Sequence, residues 1–362
     1  MTLRTCRLRV LEDREAPTGP RTVAGRFPFL LVDRGGEREP PKRGQGTAGN
    51  AATVQRVARP RRLDERVNGR ELLRGLTPPA LASVLRRLRG RLSPSRGRLG
   101  EAPEWQVVPE GWTYSARHPE VKGWNVPSVL ETQMRKWPLF LAMVDGSGPL
   151  GLAHESDLSD RCDLISHNAV MSFAYVTGLA CHMRERVSLL DWGGGLGHYL
   201  VLGRRLHPEV EIDYYCKDVP LLAEQGARLF PDQHFTADDA CLNGTYDLVM
   251  ASTSLHYEED WRSLLARLGA ASRDILYVTG LPVVARAASF VFVQRPYEFG
   301  YTTEYLAWCL NCDEFIAEAE MNGLRLRQQF VVGHRPPICG AAEQAEYRGF
   351  LFRTAGDGWE VR

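Results

Sequence analysis

The turn DWGGGLG, residues 191–197, combines residue types that could bind a ligand through bare backbone. Asp191 precedes three glycines at alternate positions, Gly193, Gly195 and Gly197. Glycine allows the backbone to approach a ligand where a Cβ atom would collide. The apolar stretch VSLLDW before the turn predicts a buried strand, and a helical pattern begins directly after it. We therefore predict a binding site at the end of a strand.

The spacing of the glycines excludes two phosphate-binding turns. A P-loop needs Gly-Lys followed by Ser or Thr, but His198 follows Gly197. The dinucleotide fingerprint would need glycine at His198 or at Leu200. What remains is an acid two positions before the first glycine, which suits a ligand with positive charge. S-adenosylmethionine, with an ammonium and a sulfonium group, meets this requirement, and Gly194 joins its predicted contacts.

Further polar residues follow the later strands. Asp218, in YYCKDVP, ends the second predicted strand 21 positions after Gly197. Folds of this kind place an acid at about this distance on the ribose hydroxyls, although an acid there can also cap a helix. Asp238 or Asp239, after the third strand, could contact the adenine amino group. Ser252, at the end of the fourth strand, completes the predicted cofactor set.

Strand and helix patterns alternate along the second half of the chain. This alternation predicts an α/β fold: a Rossmann-like, seven-stranded, mostly parallel sheet with helices on both faces. The domain is predicted over residues 183–355, with a helix over residues 304–321. The Trp-rich segment 104–182 predicts a helical lead-in or cap, with one helix interrupted at Pro138.

Charge divides the chain into two different parts. Residues 1–100 hold 23 Lys and Arg against 9 Asp and Glu, and the remainder holds 22 against 35. The first part has neither Trp nor Tyr, so residues 1–103 are predicted to be a disordered extension. A basic arm for nucleic acid or an anionic membrane is the alternative. Of its 23 basic residues, 22 are Arg, a skew that suggests coding bias rather than selected contacts.

Composition also bears on location and partners. No stretch reaches the roughly 18–20 uninterrupted apolar residues that a membrane span needs. The N-terminus lacks the apolar region of a secretory signal, so a cytoplasmic location is predicted. Cys309 and Cys312 form a lone C-x-x-C without a second ligand pair, and no metal site is predicted. The acidic balance beyond residue 100 argues against nucleic acid as the partner.

Residues from about 105 to 353 resemble the class I S-adenosylmethionine-dependent methyltransferases. More narrowly, they resemble a bacterial group of predicted methyltransferases, in the stretches LDWGGGLGHY, CKDVP, YDLVMASTSLHY and GYTTEYLAWCLN. The resemblance implies a methyltransferase that uses S-adenosylmethionine. It maps the family's cofactor positions onto these residues: Asp191, Gly193, Gly195, Gly197 and Asp218. It covers nothing in residues 1–100 and does not identify the methyl acceptor.

The predicted reaction is O-methylation of a small molecule or a sugar. Such a transfer depends mainly on positioning, and a base matters only for a poor nucleophile such as a hydroxyl. His256, in STSLHYEED, is the predicted base, because a histidine titrates near neutral pH. Packing within the turn is its alternative role, and Glu258 is a weaker candidate. The alternative function is a cofactor-binding protein without turnover.

Two other groups of residues have both functional and structural interpretations. His167 and Asn168 open a helix before the glycine strand and could cover the cofactor or cap that helix. Tyr301, Tyr305 and Trp308 could line the acceptor pocket or belong to the core.

Overall fold

A computed structural model describes residues 102–152 and 162–354 of the chain. Residues 1–101 of the predicted extension lie outside the described residues, as does residue 355 at the predicted end of the domain. The predicted domain boundaries therefore stay predictions.

The described residues form ten β-strands and six α-helices. The strands are β1 Trp105–Val107, β2 Arg186–Trp192, β3 Glu211–Lys217, β4 His234–Thr236, β5 Tyr246–Ser252, β6 Ser272–Val284, β7 Phe290–Gln294, β8 Tyr305–Asn311, β9 Leu324–Val331 and β10 Glu346–Thr354. The helices are α1 Pro127–Asp145, α2 Leu164–Cys181, α3 His198–Leu206, α4 Pro220–Leu229, α5 Trp261–Ala271 and α6 Cys312–Met321.

All ten described strands belong to one mixed sheet. One path of strands runs β4-β3-β2-β5-β6-β10-β9, parallel as far as β6 and antiparallel at both pairings of β10. A second branch leaves β6 through the parallel strand β8 and ends in the antiparallel strands β7 and β1. The described sheet thus has ten strands where seven were predicted. The fold is α/β, with five parallel and four antiparallel pairings among the described strands.

Helices cover both faces of the sheet because successive strand residues point to opposite sides. Leu189 of β2 packs in the same cluster as Phe173 of α2. Leu190, the next residue, packs in a second cluster with Leu265 of α5 and Phe315 of α6. This double burial explains the continuous apolar runs of the central strands. Because β2 is parallel to β3 and to β5, the carboxyl ends of these strands lie at one edge of the sheet. The glycine turn follows β2 at this edge.

The helix predicted over residues 304–321 is wrong in its first half. Residues 305–311 form β8, and α6 begins only at Cys312. The Asn311 side chain accepts hydrogen bonds from the backbone N–H groups of Asp313 and Glu314, at 3.1 and 3.0 Å, and so starts the helix. A strand buried on both faces shows no alternation, so its apolar run resembles that of a buried helix.

The predicted interruption at Pro138 is also wrong, because α1 continues through this residue to Asp145. Proline removes one helical hydrogen bond. Val129, Trp137 and Phe140 of the same helix are buried in the core, and this packing holds the helix together across the proline.

Within the described residues, α2 is the one helix long and apolar enough to cross a membrane by length and composition. Its mean hydropathy is 1.2. Phe173, Val176 and Ala180 on this helix are buried against the sheet, as in a core helix of a globular domain.

Candidate functional site

The glycine turn connects β2 to α3, as the sequence predicts, and two of its positions require glycine. A Cβ atom at Gly194 would lie 2.6 Å from Asp191 Oδ2 and 2.8 Å from Cys216 Sγ. Gly193 has φ of 79°, and a Cβ atom there would overlap the side chain of Ser254. The backbone of the turn is therefore pressed against the ends of β2, β3 and β5.

Asp191 supports the turn from beneath. Its side chain is fully buried, and Tyr214 donates a hydrogen bond of 2.6 Å to its Oδ2 atom. Burial raises the pKa of Asp191 to about 7, although the Tyr214 bond acts in the opposite direction. Asp191 does not line the cavity above the turn.

Asp218 ties the turn to the end of β3. Its Oδ2 atom accepts a hydrogen bond from the Gly195 N–H at 2.7 Å, and its Oδ1 atom accepts one from the Val219 N–H at 2.7 Å. Burial raises its pKa above the ordinary value, whereas the two amides lower it. A carboxylate offers about four acceptor positions, so two remain for a ligand.

A cavity of about 130 Å³ lies above the turn. Five of the predicted cofactor residues line it: Gly193, Gly194, Gly195, Asp218 and Ser252. Four others do not, namely Asp191, Gly197, Asp238 and Asp239. Lys217, which also lines the cavity, forms an ion pair with Asp239 at 3.2 Å, so its charge is compensated.

The two acids after β4 have structural partners. Asp238 accepts a hydrogen bond from the backbone N–H of Ala240 at 2.9 Å and caps a short 3-10 helix. Asp239 lies 3.2 Å from Lys217 Nζ and 3.4 Å from Arg267 Nη1. These contacts account for both acids without a ligand.

His256 is fully buried beside the rings of Tyr257 and Tyr347. Neither ring nitrogen has a hydrogen-bond partner among the described residues, and burial lowers its pKa to about 3. His256 lines neither the cavity above the turn nor the one beside it. Its predicted role as a base has no support from this location.

Gln133 is a site residue that our sequence analysis missed. Its side chain, on α1, is only 5% exposed and lines the cavity, and its Oε1 atom has no hydrogen-bond partner among the described residues. A Cβ atom on Gly195 would lie 3.3 Å from this oxygen. The signal was a polar residue four positions after Val129 and four before Trp137, on the buried face of the helix.

A second cavity of about 450 Å³ adjoins the first. The residues that line both cavities form what we call the common wall: His198, Tyr199, Ser252, Thr253 and Tyr257. The Tyr199 hydroxyl and the Ser252 hydroxyl are 2.8 Å apart in this wall. The two cavities therefore adjoin at these side chains.

The remaining candidates divide between the cavities and the scaffold. Tyr301 and Tyr305 line the second cavity, whereas Trp308 does not and donates its indole N–H to the Glu259 carbonyl at 3.0 Å. Glu258 lines the first cavity.

His167 and Asn168 make structural contacts with backbone. His167 Nδ1 lies 3.0 Å from the Leu150 carbonyl, and the Asn168 amide donates to the Val332 carbonyl at 3.1 Å. Neither residue lines one of the two cavities.

Over residues 102–152 and 162–354, no group of three or more His, Cys, Asp or Glu side chains could hold a metal ion. Cys309 and Cys312 are both buried, and burial raises the pKa of the Cys309 thiol to about 12.

No protein-family model and no curated protein matches the chain. Among solved structures, it is similar to magnesium protoporphyrin IX methyltransferase from Synechocystis, with 13% identity, a TM-score of 0.38, and coverage of 59% of this chain and 89% of that one. It is also similar to an S-adenosylmethionine-dependent methyltransferase from Clostridium acetobutylicum, with 12% identity, a TM-score of 0.36, and coverage of 51% of this chain and 90% of that one. A third similar structure is 1,6-didemethyltoxoflavin-N1-methyltransferase from Burkholderia thailandensis, with 16% identity, a TM-score of 0.36, and coverage of 51% of this chain and 78% of that one.

These three solved structures are all of methyltransferases. The first holds S-adenosylmethionine, and the third holds its demethylated product, S-adenosylhomocysteine.

Proposed function

We propose that the chain is a class I S-adenosylmethionine-dependent methyltransferase that methylates a hydroxyl group of a small molecule. The observation that carries this proposal is the pair of adjoining cavities at the glycine turn. Methyl transfer needs two adjoining binding sites, because the donor and the acceptor must be in contact and aligned before they react.

The lining of the first cavity supports the donor, whereas its volume of about 130 Å³ does not, because ligand pockets typically measure roughly 300–1,000 Å³. S-adenosylmethionine, when bound, supplies an activated methyl group on a positively charged sulfur. The turn at Gly194 brings backbone close enough that a Cβ atom would collide with Asp191. The two remaining acceptor positions of Asp218 suit the ribose hydroxyls, and Gln133 Oε1 suits the ammonium group, which can only donate.

The structural role that we assign to Asp191 differs from the one that its position in the sequence suggests. Asp191 is buried beneath Gly194 and does not line the cavity, so we propose that it positions the turn rather than touching the ligand. Its long-range negative charge, where ionised, still favours a cationic ligand above it.

For the proton of the acceptor hydroxyl, we propose His198 in place of His256. The His198 ring lines both cavities, whereas His256 lines neither. Trp137 and Phe140 hold the His198 ring edge-to-face at 4.8 and 4.7 Å between ring centroids, which fixes its orientation. A ring nitrogen in this wall can take a proton from an acceptor in the second cavity.

Methyl transfer distinguishes this proposal from the alternative, a protein that binds the cofactor without turnover. The full chain is incubated with S-adenosylmethionine labelled in the methyl group and a bacterial metabolite extract. We expect label in a small-molecule fraction and none there when His198→Phe replaces the wild type. Binding of the labelled donor with no transfer to any fraction would favour the alternative.

A further inference from the structure

We infer that the second cavity binds a flat, mainly apolar aromatic alcohol as the methyl acceptor, and not a sugar. This inference rests on the proposed function and specifies the acceptor class of the same site. Its basis is the size of the cavity, the aromatic rings in its wall and the aliphatic side chains that complete the wall.

The size of the second cavity fits a small organic ligand. Its volume of about 450 Å³ lies within the roughly 300–1,000 Å³ typical of ligand pockets. Native cores are close-packed, and an empty apolar space costs stability in proportion to its volume. A cavity this large, next to a predicted methyl donor, therefore has a ligand as its natural occupant.

Aromatic side chains form much of the cavity wall. They come from β1, from α1, from the segment between β7 and β8, from β8 and from β10: Trp105, Phe140, Phe299, Tyr301, Tyr305 and Tyr347. Flat rings of this kind pack best against another flat ring, by stacking or edge-to-face contact.

The rings nearest the common wall are held in place by one another. Trp124 stacks on Tyr305 with ring centroids 4.4 Å apart, and Tyr257 meets Tyr305 edge-to-face at 5.3 Å. Tyr301 contacts Trp124 at 6.1 Å. Rings held in this way form a preformed surface for a flat ligand, because they do not have to rearrange to accept it.

Aliphatic side chains complete the wall, including Leu152, Val170, Leu202 and Val332. A sugar carries hydroxyl groups around its whole ring. Each hydroxyl buried against an apolar wall without a partner costs about 1–3 kcal/mol. An aromatic ring has no such loss against these aliphatic positions, so they favour a flat aromatic ligand over a carbohydrate.

Polar side chains that line only the second cavity include Glu104 and Gln294. The Gln294 amide lies 3.5 Å from Glu104 Oε1, and Gln294 is buried. Burial raises the pKa of Glu104 above its ordinary value. Asp163, Ser166, Thr279 and His334 also line only this cavity, so polar side chains can orient a substituent of a flat ligand at several points.

The test uses the full chain and 2-naphthol, a flat aromatic alcohol whose fluorescence reports its environment. Ala169 of α2 lines the second cavity and not the first, so Ala169→Phe fills the acceptor space alone. Leu179→Phe, at an exposed position of the same helix, is the matched control. Each protein is titrated with 2-naphthol and with methyl glucoside, both with and without S-adenosylhomocysteine.

We expect saturable 2-naphthol binding to the wild type and to Leu179→Phe, and binding at least tenfold weaker to Ala169→Phe. We expect no methyl glucoside binding at millimolar concentration and equal S-adenosylhomocysteine binding to all three proteins. If Ala169→Phe fails to fold, Ser166→Phe, which points into the same cavity from the first turn of α2, takes its place.

Two results would overturn the inference: methyl glucoside binding as tightly as 2-naphthol, or 2-naphthol binding that the cavity-filling variant leaves unchanged. A wild type that does not bind 2-naphthol would also overturn the inference. A wild type that does not bind S-adenosylhomocysteine is a separate outcome, because it would refute the proposed function. The titration without nucleoside would still show whether the second cavity prefers 2-naphthol over methyl glucoside.

Discussion

Replacing Asp218 with Asn should weaken the binding of S-adenosylhomocysteine by about 10- to 100-fold. The carboxylate already accepts two backbone hydrogen bonds of 2.7 Å, from Gly195 and Val219, which leaves two acceptor positions for ribose hydroxyls. Asn keeps one acceptor oxygen, but its amide nitrogen can only donate and so cannot accept a hydrogen bond from a backbone N–H group or a ribose hydroxyl. A hydrogen bond to a charged acceptor contributes about 1.5–3 kcal/mol, and each 1.4 kcal/mol is a tenfold change in affinity.

Isothermal titration calorimetry measures the affinity, and thermal unfolding without ligand shows whether the variant still folds. Asp232→Asn is the control, because it makes the same chemical change at an exposed acid that pairs with Arg204 and lines neither cavity. We expect its affinity to stay within about twofold of the wild type, since surface ion pairs contribute little.

A second ligand pair separates a ribose contact from a loosened turn. Wild type should prefer 5′-methylthioadenosine over its 2′-deoxy form, and Asp218→Asn should lose this preference. A folded variant with wild-type affinity, or with the preference intact, would remove Asp218 from the ribose contact. An equal loss in Asp232→Asn would show that the effect is general electrostatics.

Three more variants test separate parts of the account. Gln133→Leu should weaken S-adenosylhomocysteine binding about tenfold but should not change the binding of 5′-methylthioadenosine, which lacks the ammonium group. An equal loss for both ligands would contradict the assigned contact. The control is Gln328→Leu, at an exposed position. Gly194→Ala should abolish binding and lower the melting temperature, because its Cβ atom would lie 2.6 Å from Asp191 Oδ2; a variant with normal binding would refute the tight turn. His256 stays neutral in the folded protein down to about pH 3 but takes a proton below about pH 6.5 when unfolded, so stability is lost as the pH falls through this window. Relative to His256→Phe, the free energy of unfolding of the wild type should fall by about 1.4 kcal/mol per pH unit between pH 6 and pH 4 in denaturant titrations. The comparison must be with the variant, because Asp191 has the opposite effect. Its pKa is raised to about 7, so it makes the folded protein less stable as the pH rises from about 4 to 7. Parallel curves for the wild type and the variant would show that His256 is not buried and neutral.

The sequence predicted the glycine turn and the acid that meets it because both are local features of strand ends. The spacing of glycines after VSLLDW placed the turn, and the end of the next strand placed Asp218. The alternation of strands and helices predicted an α/β sheet with helices on both faces, which the two core clusters on either side of β2 show.

The sequence could not predict contacts that depend on distant segments. Gln133 reaches the cavity from a helix about 60 positions before the turn, and its burial became visible only with the packing of α1. The strand β8 was predicted as helix because it is buried on both faces and shows no alternation. His256 follows β5 as predicted, but the side chain turns into the core, a direction that spacing along the chain does not encode.

Equilibrium binding of S-adenosylmethionine to the purified full chain tests the central claim most directly. We predict saturable binding of one nucleoside per chain at micromolar concentration, and competition by S-adenosylhomocysteine for the same site. No uptake of either nucleoside up to millimolar concentration by a folded protein would contradict the account.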